Sequence, residues 1–117
     1  MGNPLARHGG LTYLHLSARD VPRTATFYER VCGWKLEPRG GDDYRFADPD
    51  GMMIGGFGQA AEPSIVPYIY VDDIAAAVAT AEAQGGTVVE AIRPEGDIKL
   101  ARLRDPSGNV IGVWQFG

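Results

Sequence analysis

An α+β fold built from two tandem βαβββ modules is what this 117-residue sequence predicts, and three observations predict it. The hairpin phrase Asp-Pro-x-Gly-x-x-Ile-Gly is written twice, as DPDGMMIG from Asp48 and as DPSGNVIG from Asp105. Upstream of each copy, a β-rich run is followed by an aspartate, Asp20 or Asp73, and then by apolar residues at helical spacing. Asp20 maps onto Asp73 with an offset of 53 and Asp48 onto Asp105 with an offset of 57, so the copies differ by four residues in the intervening loops. A repeat of about 50 residues implies that neither copy can bury its apolar face alone. The expected architecture is a curved, partly open barrel-like sheet around a cleft, with the helices outside.

The elements follow in order. LTYLHLSA from Leu11 alternates as a strand, and RDVPRTATFYERVCGW then reads as a helix. Asp20 caps it, Pro22 falls in the first turn where its missing N–H does no harm, Val21, Ala25, Tyr28 and Val31 form the stripe, and Gly33 stops it. WKLEP, DYRFA and MMIGGFG supply three short strands, separated by the turns RGGD and DPDG. GQAAEPS is the linker. IVPYIYV restarts the order, Asp73 caps IAAAVATAEAQ, and Gly85-Gly86 ends that helix. TVVEA, IKLARLR and NVIGVWQF complete the second module. The predicted boundaries are a flexible arm over 1–10, module one over 11–58, a linker over 59–64 and module two over 65–117, the whole of 11–117 forming one domain.

The bulk numbers narrow the function. Net charge is −4 and the eleven Lys and Arg are scattered, so no basic footprint for nucleic acid exists. No apolar run approaches the roughly 20 residues of a membrane span. A lone Cys32 cannot form an intramolecular disulfide and reads as a small buried hydrophobe. With no basic start followed by an apolar run, a cytoplasmic location is the expectation. His8 lies in the arm and receives no role.

ARDVPRTATFYERVCGW, VDDIAAAVATAEAQGGTVV and the two hairpins, in this order and spacing, resemble the vicinal oxygen chelate superfamily of glyoxalases, bleomycin resistance proteins and dioxygenases. The resemblance covers Leu11 to Phe116. It implies, for metal-dependent members, a divalent ion held by four His, Gln or Glu side chains, one from the first and one from the last strand of each module. Carried over, those positions fall on Tyr13, Val66, Gly55 and Gly112. A valine and two glycines offer no donor, and a phenol must lose a proton with a pKa near 10 to ligate. His15 shares a strand face with Tyr13, but one histidine makes no site. No metal and no other cofactor is expected, and without a Lewis acid the metal-dependent glyoxalase and dioxygenase reactions lose their warrant.

Alternation extends the four positions to a cleft lining of Tyr13, His15, Met53, Gly55, Phe57, Val66, Tyr68, Gly112 and Trp114, with Tyr70 and Val110 beside them. The opposite set, Leu14, Leu16, Ile54, Ile69, Val71, Ile111 and Val113, suits packing under the helices. Trp34 and Tyr28 read as core, and Arg45, Arg102 and Arg104 either grip an anionic ligand or, the favoured reading, lie in solvent on edge strands. The expected function is metal-free binding of an apolar or aromatic small molecule, as in bleomycin resistance proteins, by a homodimer that takes neither nucleic acid nor membrane as partner. The alternative is an enzyme of this superfamily, a lyase, isomerase, epimerase or dioxygenase, with His15 as acid or base.

Overall fold

A computed structural model of the chain describes residues 6–117. Two compact units emerge, Thr12–Val66 and Pro67–Gly117, the latter taking in the segment up to Leu11. The expected flexibility of residues 1–5 lies outside the described residues. Residues 8–10 are held: the Gly9 N–H donates to the Tyr70 carbonyl, the Tyr70 N–H to the Gly10 carbonyl, and the Asp72 N–H to His8 Nδ1 at 3.0 Å.

In the N-terminal unit the chain runs β1 (Leu11–Ala18), α1 (Val21–Cys32), β2 (Lys35–Pro38), β3 (Tyr44–Ala47) and β4 (Ile54–Gln59), in the strand order β2-β3-β4-β1. β1 lies parallel to β4, because α1 carries the chain across the sheet, while the hairpins make β2, β3 and β4 antiparallel. Asp20 caps α1 by accepting from the Arg23 N–H at 3.1 Å, and Gly33 closes it in the left-handed region at φ 73°. Val21 and Ala25 of α1 pack with Leu16, Ala18, Phe46 and Phe57 of the sheet beneath. Tyr28, Trp34 and Phe46 form a continuous stack, with ring centroids 4.7 and 4.3 Å apart. Val31, placed on the predicted stripe, is exposed, as is Cys32, so the reading of Cys32 as a buried hydrophobe is corrected. The buried face of α1 is narrower than its apolar residues suggest, since the four-residue strands β2 and β3 cover little of it.

The second βαβββ module, whose chain from Pro67 on makes up the C-terminal unit, repeats the order with β5 (Ser64–Tyr70), α2 (Ile74–Ala83), β6 (Thr87–Glu95), β7 (Ile98–Arg104) and β8 (Val110–Phe116), the strands arranged β5-β8-β7-β6. Asp73 accepts from the Ala76 N–H, and the Gln115 side-chain oxygen accepts from the Ile74 N–H at 2.6 Å, so two side chains satisfy the free donors at the start of α2. Ile74 of α2 packs in one core with Val71, Ala101, Leu103 and Val113. The fold is thus α+β with βαβββ written twice, as the repeat predicts.

The two hairpins are not copies. In the second, the Asp105 N–H donates to the Asn109 carbonyl, four residues on; in the first, the Asp48 N–H donates to the Met53 carbonyl, five residues on. That one extra loop residue shifts β4 by one position against the phrase that announced it. The strand equivalent of Gly112 is therefore Gly56, not Gly55.

Candidate functional site

Each unit presents one sheet face to its helix and turns the other, here its open face, away from the helix, and the registers assign the residues. Tyr13 lies opposite Ile54, His15 opposite Gly56 and Ser17 opposite Gly58, while Leu14 and Leu16 lie opposite Gly55 and Phe57. Leu16 and Phe57 belong to the core beneath α1. The open face of the N-terminal unit therefore carries Tyr13, His15, Ile54 and Gly56. Gly55 and Phe57, expected beside Tyr13, lie on the helix side. Ile54, expected beneath the helix, lies on the open side, and Met53 sits in the turn before β4. A one-residue slip exchanges the faces of every following side chain, and the longer hairpin makes that slip.

Glycine identity reports the same packing. A Cβ on Gly55 would overlap the Phe46 ring and the Leu14 carbonyl oxygen, so this glycine makes room for the core. On Gly56 it would stand 2.9 Å from the Tyr13 hydroxyl and 3.4 Å from Arg45 Cδ, and on Gly58 3.1 Å from the His15 imidazole. Gly56 and Gly58 thus form a floor over which Tyr13, His15 and the stem of Arg45 lie. A cavity of about 400 Å³, within the range of small-molecule sites, is lined in this unit by Tyr13, Lys35, Glu37, Arg39, Arg45 and Ile54, and the expected site residue Gly55 borders it with Ala47. Arg45 Nε stands 3.3 Å from Asp43 Oδ1, and an Arg39 terminal nitrogen 3.1 Å from Glu37 Oε1.

On the open face of the C-terminal unit, Tyr68 lies opposite Gly112 and Tyr70 opposite Trp114. The Tyr68 ring covers Gly112 so closely that a Cβ there would overlap it. Arg102 Nε donates to the Tyr68 hydroxyl at 2.7 Å, with Glu90 Oε2 3.5 Å away. Arg102 is therefore a partly buried partner of a tyrosine, which corrects its reading as solvent-facing; β7 lies inside the sheet, between β8 and β6. Val66, Tyr68 and Trp114 are buried, and Tyr70 and Trp114 meet edge to face with centroids 4.9 Å apart.

The family's metal does not fit these residues. With the corrected register, the first- and last-strand positions hold Tyr13 and Gly56 on β1 and β4, and Val66 and Gly112 on β5 and β8. The glycines are overlain by Tyr13 and Tyr68. The buried polar side-chain atom without a hydrogen-bond partner on β8 is Trp114 Nε1, a donor that cannot ligate a cation. Among the described residues, no three His, Cys, Asp or Glu side chains converge.

Sequence reasoning missed Lys35, Glu37, Arg39 and Gly56 as residues of this face and gave Arg102 to solvent, whereas Arg45 is exposed as the favoured reading has it. The alternation Lys35, Glu37 and Arg39 along β2 and beyond it carried the missing signal, but short strands leave the choice of face undecided.

Two βαβββ units, each with a glycine beneath a tyrosine on the sheet face away from its helix, define the fold class. The sequence model of the glyoxalase-like domain matches residues 13–114, and the chain belongs to that family. Among curated proteins, it is 28% identical over 121 residues to "Putative glyoxylase CFP32" of Mycobacterium bovis and of Mycobacterium tuberculosis. The match covers 93% of this chain and 46% of the relative, so the chain spans about half the length of those proteins. Among solved structures, a methylmalonyl-CoA epimerase from Mycobacterium tuberculosis superposes with a TM-score of 0.70 at 16% identity, covering 100% of this chain and 93% of that one. An Mn(II)-bound glyoxalase from Novosphingobium aromaticivorans gives 0.71 at 21% identity, covering 95% of this chain and 40% of that one. These likenesses carry the fold.

Proposed function

We propose that this chain binds a small organic molecule with an apolar or aromatic body, in the manner of the bleomycin resistance proteins, without a protein-ligated metal. The observation that carries this reading is the replacement of donor side chains by glycine at the last-strand positions of both open faces, Gly56 and Gly112, each overlain by a tyrosine. Ring faces and a concave floor suit a flat ligand, because aromatic contact area is large and its entropic cost of ordering is low. The chain acts in the cytoplasm as a homodimer, a state that would cover exposed apolar side chains such as Leu11, Ile65 and Met52.

A second reading is an enzyme of the same fold, a lyase, isomerase or epimerase. Its supporting observation is His15, held on the open face against Gly58, where an imidazole could move a proton on a ligand bound beside Tyr13. The superposition on methylmalonyl-CoA epimerase adds a fold-level analogy.

Two measurements separate the readings. Elemental analysis of protein purified without chelators should find no stoichiometric zinc, nickel, iron or manganese, and any of these at one per chain overturns the metal-free reading. A thermal-shift screen of flat aromatic compounds should find ligands that stabilise by about 2.7 kcal/mol at 100 times their dissociation constant. If His15→Ala keeps that affinity, binding alone is supported; proton exchange at a ligand carbon, abolished in His15→Ala, supports the enzyme.

A further inference from the structure

We infer that the cavity on the open face of the N-terminal unit selects a monoanionic ligand, a small aromatic or short-chain carboxylate, with Arg45 and Lys35 holding the carboxylate. This rests on the small-molecule reading above and adds the charge of the ligand.

The charge balance is the first argument. Although the chain as a whole is at −4, the cavity lining holds the cations Lys35, Arg39 and Arg45 against the single carboxylate Glu37. Counting Asp43, which pairs with Arg45, leaves a surplus of one positive charge. A monoanion neutralises that surplus, whereas a dianionic phosphate ester overshoots it. A local cationic cleft on an acidic protein also concentrates anions there.

Availability is the second argument. Arg39–Glu37 and Arg45–Asp43 join residues two apart in sequence, with side chains 44–66% exposed. Exposed pairs of this kind contribute about 0–1 kcal/mol, so a ligand can displace them at little cost. Arg45 engages Asp43 through Nε, and its two terminal nitrogens have no partner among the described residues, which leaves one edge of the guanidinium for a carboxylate. Lys35 has no ion-pair partner among the described residues.

Placement is the third. Gly56 lets the stem of Arg45 and the Tyr13 hydroxyl approach one point on the floor, so a carboxylate at Arg45 would lie close to a phenol. Ile54 and Ala47, paired across β3 and β4, form the apolar wall beside it. The arrangement is polar at one end and apolar at the other, which matches an arenecarboxylate and not an uncharged hydrocarbon.

The test compares benzoate, its neutral isostere benzamide, and phenyl phosphate on the full chain, by calorimetry or by amide chemical shifts. Benzoate should bind about tenfold or more tighter than benzamide, with an affinity that falls as salt rises. Arg45→Gln and, independently, Lys35→Gln should erase most of that preference, bringing benzoate affinity down to within about twofold of benzamide affinity in the same variant. Lys99→Gln, on β7 of the other unit, should leave the preference intact. Equal binding of benzoate and benzamide overturns the charge assignment alone and leaves apolar binding standing. Tighter binding of phenyl phosphate than of benzoate overturns the choice of a monoanion. If no compound of this or the wider aromatic screen binds, the small-molecule reading falls with it.

Discussion

Three glycines of the open and core faces answer to different neighbours, and substitution should rank them. At Gly55 an added methyl meets the Leu14 carbonyl oxygen, backbone that cannot swing away, and the buried Phe46 ring. Gly112 meets Tyr68 as far in as Cγ, so the whole ring would have to move. Gly56 meets the hydroxyl end of Tyr13 and the stem of Arg45, with the Tyr44 carbonyl oxygen at an ordinary contact distance of 3.7 Å. Gly55→Ala and Gly112→Ala should each cost about 1–3 kcal/mol or more in denaturant unfolding, as overpacked sites do. Gly56→Ala should cost less than about 1 kcal/mol yet weaken carboxylate binding, because it displaces the residues the ligand uses. From the sequence, Gly55 and Gly56 are indistinguishable; only the neighbour each meets separates a packing glycine from a floor glycine.

At the scale of elements, both helices were legible from their first residues. An aspartate, apolar residues at helical spacing and a terminal glycine specify α1 and α2 with little help from the rest of the chain, because capping and periodicity are local. Asp20→Ala should cost about 1 kcal/mol, measured by thermal or denaturant unfolding, since the Arg23 N–H loses its acceptor. Asp73→Ala should cost a similar amount, and Gln115→Ala should add its own loss at the same helix end, because the Ile74 N–H is satisfied from β8. That second acceptor was not legible: Gln115 stands 41 residues from Ile74 and meets it only after α2 packs on its sheet. The strands were legible in number and order but not in facing. A short strand such as β3 has too few residues to fix its own register, so the loop before it decides.

For the whole molecule, acid is the condition to which one hairpin is tied. Asp105 is held below its ordinary value of 3.8, first by the Asn109 side-chain amide and then by the N–H groups of Asn109, Ser107 and Gly108, which all favour the carboxylate. A lowered folded-state pKa gives stability that is complete above about pH 4 and lost as pH falls through the folded value. The thermal midpoint should therefore fall between pH 5 and pH 2 by less in Asn109→Ala than in the parent chain, an outcome readable by circular dichroism. The same carboxylate fixes the tighter second hairpin, so a single residue links the loop's length, its pH response and the register of β8.

What the sequence determined alone was the repeat, the twice-written βαβββ order, both helix starts and the resemblance that led to the glyoxalase-like family, because each rests on local periodicity, capping chemistry or residue spacing. Tertiary structure decided which face each residue of β4 occupies, that Arg102 meets Tyr68 while Cys32 meets solvent, and where Lys35 and Arg45 converge. Strand side chains alternate with a period of two, so one extra residue in a turn reverses every assignment downstream. No inspection of the strand itself detects that; only the hydrogen bonds that close the loop do.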